Sequence, residues 1–111
     1  MLYKKEFGDD FDLGFNLNAY PYLKDKSWHN DVSPSFYFNI GPQYYVLWAD
    51  YADTKKREYP SERYSIQQAN NEGNTTSPEI YCDEGDIVFK SESFDNISHY
   101  LQTLTSHNTA N

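Results

Sequence analysis

At 111 residues and a formal charge of −8, with 17 acidic residues against 9 basic, the chain is sized for a single domain, 1–111, because two pieces would each be too small to bury a core. Eleven Tyr, seven Phe and two Trp exclude a disordered chain and promise an aromatic core. The negative balance disfavours direct binding to a phosphate backbone, and a lone cysteine, Cys82, excludes both an internal disulfide framework and a multi-cysteine zinc site.

Residues 1–10, MLYKKEFGDD, carry two lysines with no apolar segment after them, and read as a loosely ordered start. No run approaches the length of a bilayer span, so a cytoplasmic protein without a membrane partner is expected. FDLGFNLNAY, 11–20, alternates strictly, with Phe11, Leu13, Phe15, Leu17 and Ala19 on one side, which predicts a half-buried strand. Pro21 ends it. The stretch to Pro34 has no period and reads as a loop anchored by Tyr22, Leu23 or Trp28.

SFYFNI, 35–40, alternates again with Phe36, Phe38 and Ile40 inward, and Gly41-Pro42 supplies a turn into QYYVLWADY, 43–51. Tyr44 to Trp48 are apolar or aromatic on both sides, which suits a central strand covered on both faces. ERYSIQQ, 62–68, predicts a further strand, and ANNEGNTTSP, 69–78, a mobile loop dense in turn formers. EIYCDEGDIVFK then reads as a hairpin whose strands, 79–82 and 86–90, flank a turn at Asp83-Glu84-Gly85.

The last segment changes period. Phe94, Ile97, Tyr100, Leu101 and Leu104 mark one face of a helix, with Ser93 placed to cap it and Asp95 in its first turn; residues 106–111 read as a loose tail. The expected fold is α+β: an antiparallel sheet of about five or six strands with one C-terminal helix packed across a face.

No catalytic signature is present. Cys82 has no local histidine partner, and Asp83 and Glu84 beside it would raise a thiol pKa rather than lower it. Neither Asp9-Asp10-Phe11-Asp12 nor Asp83-Glu84-Gly85-Asp86 has the alternating oxygen ligands and closing Glu of a calcium loop. No cofactor or metal is expected. An enzyme with a scattered site would have to bring His29 or His99 to a carboxylate such as Asp50.

The stretch GPQYYVLWADYADTKKRE is the most informative. A platform for single-stranded nucleic acid interleaves exposed rings with positive charge. Here Lys55, Lys56 and Arg57 follow the aromatic run, flanked by Asp50, Asp53, Glu58 and Glu62, which predicts a buried strand leaving the core into a charged loop. Eleven tyrosines are more than such a core can hide, and exposed Tyr beside carboxylates suits a basic protein partner, with charge speeding encounter and rings supplying contact area. From Tyr64 onward, seven acidic residues face one base, Lys90.

The WADY segment with its charged loop, and the acidic EIYCDEGD run before the terminal helix, resemble in type the small acidic immunity proteins of bacterial toxin systems and phage-encoded anti-defence inhibitors. The resemblance implies occlusion or mimicry, carboxylates filling a cationic site that otherwise holds phosphate. The expectation is a stoichiometric inhibitor of a basic, nucleic-acid-handling protein, with Asp50, Tyr51, Asp53, Glu58, Tyr81, Asp83, Glu84 and Asp86 at the interface. The alternatives are an anti-defence inhibitor mimicking nucleic acid on a CRISPR-type complex, and a small-ligand module whose Tyr20–Trp28 loop stacks on sugar or nucleotide rings.

Overall fold

The computed structural model describes residues 1–82 and 85–109, the last four as backbone only. Strands β1 (Lys24–Asp25), β2 (Ser35–Ile40), β3 (Gln43–Ala49) and β4 (Tyr64–Asn71) run antiparallel in that order. Strands β5 (Ile80–Tyr81) and β6 (Ile87–Ser91) both pair with β4. Helix α1 (Leu2–Phe7) opens the chain and α2 (Phe94–Thr109) closes it. The fold is α+β.

Period-two sequence becomes the core where strands are in register. Phe36, Phe38, Leu47, Ala49, Tyr64 and Ile66 point to one face of β2, β3 and β4, and none is more than 2% exposed. The apolar stripe of α2 covers them with Ile97 and Leu101, while the Tyr100 ring stacks on Phe89 of β6 at 4.4 Å. Each large side chain fully buried here stabilises by about 1.5–3 kcal/mol. Gly41, at φ 58, and Pro42 close the β2–β3 hairpin; glycine in the first turn position matches the right-handed strand twist.

Four sequence expectations need correction. First, Leu2–Phe7 form α1 rather than a loose start, with Tyr3 buried against Phe36. Second, 11–20 is irregular. Its alternation survives as burial of Phe11 and Leu13, but Gly14 adopts φ 79 and Leu17–Ala19 make a 3-10 turn. The bend lets the buried Tyr64 hydroxyl donate to the Leu13 carbonyl at 2.6 Å.

Third, 79–90 is no hairpin. β5 and β6 follow one another along the same edge of β4, and between them the Gln67 amide donates to the carbonyls of Cys82 (2.8 Å) and Gly85 (2.9 Å). Asp83 and Glu84 lie outside the described residues. Fourth, β3 is central, but the packed helices lie on only one of its faces. Tyr44, Val46 and Trp48 point to the other, where Val46 is buried by its neighbours and Trp48 is half-buried.

Two loops are tied more closely than their composition suggests. Of the three anchors proposed for 21–34, Leu23 is buried, whereas Tyr22 and Trp28 are exposed. The hairpin loop between β4 and β5 is closed by the side chains of Asn71, which accepts from Gly73 and Glu79, and Asn74, which accepts from Thr76 and Ser77.

Candidate functional site

Beyond β3 the chain leaves the sheet through Asp50 and Tyr51 into the charged loop, and a single side chain organises that loop. Arg57 turns inward, 3% exposed, and donates to the carbonyl oxygens of Tyr51 (2.7 Å), Ala52 (3.4 Å) and Ser61 (2.9 Å). Its two terminal nitrogens also grip Glu92, just before α2, at 2.7 and 2.9 Å. A planar fork meeting a carboxylate in this bidentate way is among the stronger charge-assisted contacts. It holds the Glu92 carboxyl below the usual Glu range.

Arg63 is used similarly. It donates to the carbonyls of Asp12 (2.7 Å) and Asp50 (3.3 Å), and lies 3.7 Å from the Asp12 carboxylate. Thus two of the loop's cations are spent on backbone and on fixed partners. Asp10, Asp12 and Asp53 beside them are exposed.

The result is a cleft of roughly 590 Å³ lined by Phe7, Asp10, Phe11, Asp12, Tyr51, Ala52, Asp53 and Lys56. Three rings make its wall in sequence: Phe7 lies 5.9 Å from Phe11, and Phe11 lies 4.9 Å from Tyr51, tilted by 56°. Asp10, Asp12 and Asp53 are exposed around them, with Lys56 as the one base in the lining. Asp53 is positioned by its own turn, its Oδ1 accepting from the Lys55 N–H at 2.9 Å. Asp12 is held in the same manner, Oδ1 accepting from Gly14 N–H at 2.9 Å.

Such a cleft offers carboxylates for a cation and aromatic faces for its apolar stem or planar head. Among the described residues no group of three or more His, Cys, Asp or Glu is arranged to hold a metal ion. His29 meets Glu6 at 3.5 Å, on an exposed part of the loop, instead of Asp50.

The residues expected at the interface are therefore divided. Tyr51 and Asp53 share the cleft. Asp50 looks to the other side of the sheet, into a hollow beside Trp48, where burial pushes its carboxyl pKa up. Glu58 is exposed on the loop and lines neither. Tyr81 and Asp86 are exposed at the far end of β4: Tyr81 pairs with Asn70, six residues along from Tyr64, hence about 20 Å away. Asp83 and Glu84 lie outside the described residues.

Asp10 and Asp12, with Phe7 and Phe11, are the additions. Their signal was the Asp9-Asp10-Phe11-Asp12 run, an acidic pattern around an aromatic like that of WADYAD. No family model, curated protein or solved structure matches the chain.

Proposed function

We propose that the chain is a non-catalytic, stoichiometric inhibitor or immunity protein that neutralises a basic, nucleic-acid-handling protein by taking its cationic side chains into the acidic, aromatic-walled cleft. The observation that carries this reading is the inward commitment of Arg57 and Arg63. It leaves Asp10, Asp12 and Asp53 facing solvent around Phe7, Phe11 and Tyr51. Lysine or arginine on the partner would find charge and a ring face together, and a site that ordinarily holds phosphate supplies such residues in groups. An anti-defence inhibitor acting on a CRISPR-type complex would use the same chemistry.

Affinity capture from the source organism, with the purified chain as bait at low and high salt, tests the proposal. A single basic nuclease, toxin or defence subunit that is lost at high salt supports it, because raising the ionic strength shortens the Debye length from ~10 Å near 0.1 M to ~3 Å near 1 M and screens exposed charges. Recovery of no basic protein removes it. The ligand-module alternative draws on the exposed Trp28, whose ring lies 5.9 Å from that of His29. Quenching of Trp28 fluorescence by a sugar or nucleotide would favour it.

A further inference from the structure

The sheet face turned away from both helices has a chemistry unlike the rest of the chain. Its outward strand positions include Lys24 of β1, Tyr37 of β2, Tyr44 and Trp48 of β3 and Lys90 of β6. In a chain with 17 acidic residues, none of the outward strand positions on this face is acidic. Lys26, just beyond β1, sets its ammonium 5.6 Å from the centre of the Trp48 ring. The indole is oriented from the other side by its N–H, which donates to Gln67 Oε1 at 3.1 Å.

Trp48, Tyr37 and Tyr44 are each partly exposed. The Trp48 end opens into a hollow of roughly 320 Å³ whose rim includes Val32, Tyr59 and Ile87, all exposed. The same hollow is lined by Asp50, Glu62 and Arg63, with Glu62 lying 3.6 Å from Lys90. Partly exposed rings held in place among lysines are the ingredients of a stacking platform for unpaired bases.

We infer that this face binds single-stranded nucleic acid, with bases stacking on Trp48 and on Tyr37 or Tyr44 and phosphates running past Lys24 and Lys26. A duplex keeps its bases stacked internally and gains little from the rings. The inference is independent of the acidic cleft, which lies beyond the end of β3. Two phosphate contacts on a single strand imply a log–log salt slope of about −1.4, so these contacts weaken as salt is raised.

The test is a titration of the full chain into labelled oligothymidylate and oligouridylate, with a hairpin duplex as control, at low and raised salt. Saturable binding of a single strand is expected, weakened about tenfold or more by Trp48→Ala and by Lys24→Glu with Lys26→Glu. The lysine variant keeps the test decisive if Trp48→Ala fails to fold. Asp10→Lys with Asp53→Lys should leave oligonucleotide binding intact, which separates this face from the cleft. No saturable binding at low salt, binding indifferent to the lysine variant, or equal affinity for duplex would each overturn the inference. So would a protein captured through Trp48 in the absence of any oligonucleotide binding.

Discussion

The ring of Tyr51 lies 4.9 Å from that of Phe11, and this contact joins the N-terminal segment to the loop leaving β3. Together with Arg63, which donates to the carbonyls of Asp12 and Asp50, it fixes Asp10 and Asp12 relative to Asp53. Tyr51→Ala should therefore lower stability by about 1–3 kcal/mol, the scale for losing a partly buried aromatic pair. Urea denaturation reads this directly; an unchanged midpoint would mean that the wall of the cleft is not held by this contact.

Arg57 and Glu92 give a pH signature. The Arg57 hydrogen bonds lower the folded pKa of Glu92, so their stabilisation is complete above the ordinary Glu value of about 4.3 and is lost as pH falls through the lowered one. Glu92→Gln should cost about 1 kcal/mol at neutral pH, discounted because the carboxylate is half-exposed, and progressively less in acid. A difference between wild type and variant that stays constant into strong acid would contradict the pairing.

Asp50 behaves in the opposite sense. Burial raises its folded pKa, so its contribution is present below the ordinary Asp value of about 3.9 and is lost as pH rises through the raised one. Asp50→Asn should consequently be neutral or mildly stabilising at neutral pH. Marked destabilisation by this variant would show that the carboxylate is a structural anchor.

Neighbours on β3 should respond unequally. Leu47 is fully buried in the core, and Leu47→Ala should cost about 2–5 kcal/mol. Trp48, half-buried on the face without helices, should cost less when changed to Ala, about 1–3 kcal/mol for the area it covers. The reverse order would place a second packed layer on that face.

Much of the fold was legible because a single physical signal sufficed. Phe36 and Phe38 alternate, Tyr64 and Ile66 alternate, and Ile97 with Leu101 repeat at helical spacing; each pattern found its buried face. Residues 11–20 show the same alternation and are no strand, since burial of Phe11 and Leu13 requires only that alternate side chains point inward. The left-handed Gly14 and the Tyr64 hydroxyl beneath it break any ladder there. The six-residue α1 has no side-chain cap and buries only Tyr3, too little to leave a helical period.

Two features depend on which edge or face a strand meets, which no local pattern records. β5 and β6 share the edge of β4, with Gln67 donating to the Cys82 and Gly85 carbonyls between them, and the apolar run Tyr44–Trp48 suggested cover on both faces where the helices cover only one. The candidate site was partly legible. Tyr51 and Asp53 were identified from their own segment, but the cleft needs Asp10 and Asp12, brought beside them through Phe11 and Arg63. Tyr81 and Asp86 share their chemistry and sit at the other end of β4.

The most direct measurement is quantitative capture of basic proteins by three baits: the wild-type chain, the cleft variant Asp10→Lys with Asp53→Lys, and the far-edge variant Asp86→Lys. All three changes are to exposed residues; Asp10→Lys and Asp86→Lys should each alter stability by no more than about 0.5 kcal/mol, and Asp53→Lys, which loses the hydrogen bond from the Lys55 N–H, by about 1 kcal/mol. A cleft-dependent inhibitor predicts one basic partner held by the wild type and by Asp86→Lys and lost by the cleft variant. A partner retained by the cleft variant, or the absence of any basic partner on the wild-type bait, would contradict it.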